Sequence, residues 1–161
     1  MDTPQQEQRF LLRVVQPGLV GLMDGSVSTL APVFVAAFAT HEPYIAFLVG
    51  ASASVGAGIS MAFAEALSDT GAETGRGHPA LRGAIIGVMT FIGGIFHSLP
   101  FLIPHIATAL ALAYIVVGVE LVAIAYIRYH YFHLNFFLSI FQVVIAGGLV
   151  LIAGLLIGGS A

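Results

Sequence analysis

Cysteine and lysine do not occur in this chain, and charged side chains of every kind make up only 8% of its 161 residues. Without cysteine there are no disulfides, no thiolate metal sites and no cysteine nucleophile. Without lysine, five arginines carry all the fixed positive charge. The net charge of −3 is too small to point to a nucleic-acid partner, and none is expected. A soluble domain carries about 25% charged residues. The deficit, with 58% hydrophobic residues and a mean hydropathy of +1.00, implies a surrounding solvent that does not tolerate charge, namely lipid. Met1 to Leu12 are mostly polar and lack an apolar core with a cleavage site, so no removable signal peptide is expected.

What is abundant is apolar sequence in long runs. A bilayer core of roughly 30 Å needs about 20 mostly apolar residues in a helix. Five stretches qualify: Val14 to Thr40, Tyr44 to Leu67, Gly83 to Ile103, Ile106 to Ile127, and Phe136 to Gly158. Pro43, Pro79 and Pro104 punctuate their boundaries. The expected fold is an all-α integral membrane protein, with a segment 1–13 on the cytoplasmic side and one five-helix domain over 14–161. No internal repeat or low-complexity linker divides it.

Five spans put the termini on opposite sides. Arg9 and Arg13 precede the first span, Arg76 and Arg82 fall between the second and third, and Arg128 follows the fourth. All five lie on one side, which the positive-inside rule makes the cytoplasm. The N-terminus is therefore expected inside and the C-terminus outside. The external connections, around His41–Pro43 and Pro104–His105, are short. The internal ones, Ser68–Arg82 and Arg128–Asn135, are longer and polar. Tyr44 at the outer boundary, and Tyr126, Tyr129 and Tyr131 at the inner one, suit an interfacial aromatic belt.

Against this background three carboxylates inside the spans stand out: Asp24, Glu65 and Glu120. A charged Asp in mid-membrane costs about 2.5–3.5 kcal/mol even on the lenient insertion scale. Such a residue is usually part of an ion path; the alternative is a protonated Asp that glues helices together. Met61 lies one turn before Glu65, within a stripe formed by Ser54, Gly58, Met61, Glu65 and Ser68. Gly21, Asp24 and Ser28 form a similar stripe on the first span, and Gly83, Gly87, Thr90, Gly94 and His97 one on the third. Small residues let membrane helices approach closely, and polar ones turn to the bundle interior. Helix packing accounts for the glycines but not for Asp24, Met61 and Glu65, which are the candidate metal ligands. Asp24 is followed by Gly25 and Ser26, with Pro32 further on; glycine and proline in a span free backbone carbonyls that can line a cavity.

Other groups carry weaker signals. Glu120 has no polar residue one turn away, and a structural partner such as an arginine or hydroxyl explains it as well as transport does. His41, His97 and His105 gather at the outer side, and His97 with Glu120 is a candidate exit or proton path. His78, His130 and His133 are at the inner side, the last two spaced as a weak metal pair. Glu65, Asp69 and Glu73 are each four apart; with His78 they form a candidate metal entry if the second helix continues, against which Gly71 and Gly75 argue. Carboxylates plus a thioether suit Fe²⁺ or Mn²⁺ better than Mg²⁺ or Ca²⁺. These are expected as transported substrate rather than tightly bound cofactor. No nucleophile–base set stands out, so an enzyme is not expected. An integral-membrane metalloenzyme and a non-transporting anchor or assembly subunit stay open as alternatives.

QPGLVGLMDGSVSTLAPVF, Gln16 to Phe34, closely resembles the first helix of the vacuolar iron transporter family, and SMAFAEALS, Ser60 to Ser68, its second-helix segment. GRGHPALRG (Gly75 to Gly83), ELVAIAYIR (Glu120 to Arg128) and QVVIAGGLVLIAGLLIG (Gln142 to Gly158) resemble the membrane domain of bacterial membrane-bound ferritins of that family. The resemblance implies a homodimer of five-helix protomers in a bacterial plasma membrane, exporting Fe²⁺ or Mn²⁺ from the cytoplasm in exchange for protons. It maps the pathway carboxylate to Asp24 and the methionine and glutamate to Met61 and Glu65. The chain departs from the family in lacking a long carboxylate-rich cytoplasmic domain between the second and third helices and a ferritin-like domain, which leaves a ferritin-like domain or protein open as a partner.

The arginine asymmetry is directly testable. A tag at Met1 is expected to be shielded in intact cells and one at Ala161 to be reachable from outside; two tags on the same side contradict five spans.

Overall fold

The computed structural model describes residues 4–68 and 75–158. Within them the chain is a helical bundle with no strand. Seven α-helices follow in order: α1 Pro4–Phe10, α2 Gln16–Ser28, α3 Leu30–Thr40, α4 Pro43–Ser68, α5 Pro79–Phe96, α6 Ile106–Phe132 and α7 Phe136–Gly158. A π turn, Leu11–Val15, joins α1 to α2, and α2 meets α3 at Thr29, so Gln5–Thr40 reads as one long bent helix. That helix and α4 to α7 make five that are long and apolar enough to cross a membrane.

The expected spans are recovered with shifted ends. The first helix begins well before Val14, taking in residues expected as a separate segment. The third starts at Pro79 rather than Gly83, because proline fits the first turn of a helix and His78 before it takes an extended conformation. It ends at Phe96 rather than Ile103; Pro100 and Pro104 turn the chain through a short 3₁₀ segment, Leu99–Leu102. The fourth continues past Ile127 to Phe132, where His133 caps it in the left-handed conformation. Arg82 and Arg128, read as connecting residues, therefore lie within α5 and α6.

The bend at Thr29 has a local cause. Pro32 has no amide to donate to the Ser28 carbonyl, and its ring crowds that turn. The Thr29 amide pairs with the Val27 carbonyl, and its hydroxyl donates to the Gly25 carbonyl at 2.8 Å.

Polarity is inverted relative to a water-soluble bundle. Large apolar side chains such as Ile59, Phe63, Val119, Phe141 and Leu156 are exposed, whereas Ser54, Arg82, Thr90, His97, Ser98 and Glu120 are buried. An apolar exterior around a polar interior is the distribution that lipid selects.

α5 is the centre of the packing, lying against both α4 and α2. The expected stripe Gly83, Gly87, Thr90, Gly94, His97 is its buried face. A Cβ on Gly25 would run into the Thr90 carbonyl of α5, and one on Gly58 would come within 2.8 Å of the Gly87 carbonyl. Only glycine allows these backbones to approach so closely. Gly25→Ala is therefore expected to destabilise the bundle by about 1–3 kcal/mol, the usual cost of overpacking. Gly118→Ala, on α6 where nothing lies within 4 Å, is expected to be neutral or slightly stabilising. Reversible unfolding in mixed micelles reads both; equal effects contradict the packing described.

Candidate functional site

The polar interior divides into three groups. The first lies where the bend of the first helix meets the end of α5 and the middle of α6. His97, the residue after α5, is fully buried. Its Nε2 is 2.8 Å from the Thr29 hydroxyl and its Nδ1 is 3.2 Å from Oε2 of Glu120, itself 6% exposed. Glu120, which shows no polar neighbour along its own helix, thus has one across the bundle. Ser26 lies beside Glu120, its buried hydroxyl within hydrogen-bonding reach of the carboxylate.

The second group is an ion pair between Glu65 on α4 and Arg82 on α5. Arg82 is 1% exposed and the Glu65 side chain 17%. The helices approach closely here, since a Cβ on Gly83 would lie 2.5 Å from the Ala62 carbonyl. Glu65, a candidate metal ligand, therefore faces a cation supplied by the chain itself.

The third is Asp24, half-buried on α2, which makes no hydrogen bond or ion pair among the described residues. Met61 is half-buried on α4, one turn before Glu65. α2 and α4 touch, and both pack on α5, so the three candidate ligands belong to one contacting set of helices.

Asp69 and Glu73, candidates for metal entry, lie outside the described residues; His78 is exposed at the start of α5. Among the described residues no three His, Asp or Glu side chains come together as a metal cluster. His41 and His105 are exposed and do not share the buried environment of His97. His130 and His133 line an open groove between α1 and the end of α6, with Glu7 and Gln8.

Sequence reasoning missed Thr29 and Arg82. Thr29 carried a usable signal: a hydroxyl three residues before Pro32 and four after Gly25, where it can replace a lost backbone bond. Arg82 carried a misleading one, since an arginine three residues after a proline, at the start of an apolar run, reads as a boundary residue. No protein-family model, curated protein or solved structure matches this chain.

Breaking a buried ion pair from one side leaves the other charge uncompensated, at a cost of about 3–5 kcal/mol. Arg82→Met alone is expected to lose stability on that scale. Arg82→Met combined with Glu65→Gln is expected to recover part of it, because Glu65 no longer carries a charge that has lost its counter-ion. Equal stability of the single and double variants, measured by unfolding in micelles, contradicts the pairing.

Proposed function

We propose that this protein transports divalent transition-metal cations, Fe²⁺ or Mn²⁺, out of the cytoplasm across a bacterial plasma membrane in exchange for protons. The observation that carries this reading is Asp24. A carboxylate serving as packing glue needs a partner, and Asp24 makes none among the described residues, although it is half-buried midway along a helix long enough to cross a bilayer. An unpartnered carboxylate inside apolar helices is costly and fits a place where a cation passes.

Met61 adds a soft sulfur on a helix in contact with that of Asp24, which favours Fe²⁺ or Mn²⁺ over hard ions. Glu65 enters the path when its hold on Arg82 relaxes. The metal is cargo, and no resident cofactor is proposed. A homodimer belongs to the proposal: the apolar surface groove along α4 and α5, floored by Gly58, Ala62, Ala84 and Gly87, suits the close approach of a second copy.

The test is metal uptake into proteoliposomes, with Fe²⁺, Mn²⁺, Zn²⁺, Co²⁺ and Mg²⁺ in parallel. Asp24→Asn keeps shape and is expected to insert normally while uptake falls roughly a hundredfold, corresponding to about 3 kcal/mol of lost cation stabilisation. Wild-type rates in this variant return Asp24 to a packing role. Met61→Leu is expected to express normally, since such swaps cost below about 1.5 kcal/mol. It is expected to transport Fe²⁺ or Mn²⁺ more weakly, with stronger competition by Mg²⁺. An unchanged metal profile removes Met61 from the path. No flux of any metal through the wild type leaves a membrane anchor or assembly subunit.

A further inference from the structure

The Thr29 hydroxyl carries one hydrogen and has two acceptors in reach: the Gly25 carbonyl at 2.8 Å and His97 Nε2 at 2.8 Å. We infer that Thr29, His97 and Glu120 form a one-proton switch, in which loss of the proton shared by His97 and Glu120 turns the Thr29 hydroxyl from the Gly25 carbonyl to His97 Nε2.

The hydrogen count leads there directly. While Thr29 donates to Gly25, Nε2 must carry a hydrogen, or two acceptors would face each other. Nδ1 faces Oε2 of Glu120, and that contact also needs one hydrogen, on the nitrogen or on the oxygen. The ring and the carboxyl then hold two hydrogens between them and are neutral as a pair. When one proton leaves to water, the pair becomes singly negative with one hydrogen left. The carboxylate now only accepts, so that hydrogen sits on Nδ1. Nε2 becomes a bare lone pair, and the single donor beside it is the Thr29 hydroxyl. The hydroxyl turns, and the Gly25 carbonyl loses its donor.

The surroundings support this. Ser26 approaches Glu120 from α2, its buried hydroxyl within hydrogen-bonding reach of the carboxylate. A newly ionised carboxylate thus has a second hydrogen bond at hand. Ser98 beside His97 is committed to the Gly94 carbonyl, and Ser54 of α4 to the Gly50 carbonyl. Among the described residues, His97 and Glu120 pair with no other charged or titratable group.

Two consequences follow. The first helix is bent at Thr29, so releasing the Gly25 carbonyl acts on that bend and on the backbone next to Asp24. The pair also gains a full negative charge inside an apolar bundle, which a cation nearby offsets. Proton loss and cation entry therefore favour each other, and by linkage the effect is reciprocal. This coupling rests on the proposed exchange of metal for protons; the switch itself does not.

The test is ¹⁵N solid-state NMR of histidine in lipid bilayers, which distinguishes the two neutral tautomers and the imidazolium. To leave His97 as the sole labelled ring, the five exposed histidines are replaced: His78, His105 and His130 by Gln, and His41 and His133 by Asn, which tolerates their left-handed backbone. The expected result is Nε2–H at low pH and the Nδ1–H tautomer alone at high pH. A neutral Nε2–H tautomer at high pH, or an unchanged spectrum throughout, overturns the switch. A tautomer change in a protein that moves no metal supports the switch and defeats the transport reading. Metal–proton exchange with His97 fixed as Nε2–H does the opposite.

Discussion

The close approach of α5 to the backbones of α2 and α4 is the constraint on which the rest of the structure depends. Gly25 meets the Thr90 carbonyl, Gly58 meets Gly87, and Gly83 meets Ala62, so that no side chain separates these helices at their crossings. In lipid there is no hydrophobic drive between apolar helices, and tight van der Waals contact between small residues has to supply the association. The same contacts bring Arg82 to Glu65 at one end of α5 and His97 to Thr29 at the other. Widening the spacing would separate both pairs, leaving buried polar groups without partners.

Inside that frame the polar residues hold different positions. Glu65 has an internal counter-cation and Glu120 has an imidazole, so each carboxylate is already accommodated by the fold. Asp24 is not, and this difference makes it the centre of the proposed cation path. The three groups gather around α5, through α2, α4 and the turn that follows α5, against which α6 packs. A change at one is therefore placed to alter the packing of the others.

Much of this was legible in the sequence because apolar runs, prolines and the small-residue stripe of α5 are local signals. The five spans and the buried face Gly83, Gly87, Thr90, Gly94, His97 follow from spacing alone, whereas the connections do not: the link after α5, expected to be short, runs from residue 97 to 105, and the link after α6, expected to be longer, is only 133–135. Partners were not legible, because an ion pair or hydrogen bond across helices depends on crossing geometry. Glu120 looked isolated along α6 although His97 lies beside it, and Arg82 looked like a boundary charge although it is buried against Glu65. Asp69 and Glu73 lie outside the described residues.

The central claim is that cation movement in one direction is linked to proton movement in the other. The most direct measurement uses sealed proteoliposomes with equal Mn²⁺ on both sides and an imposed pH gradient. With no metal gradient to drive it, the account predicts net Mn²⁺ movement toward the acidic compartment, abolished by a protonophore that collapses the gradient. Mn²⁺ that stays evenly distributed while the pH gradient persists, in vesicles that pass Mn²⁺ down its own gradient, would contradict it.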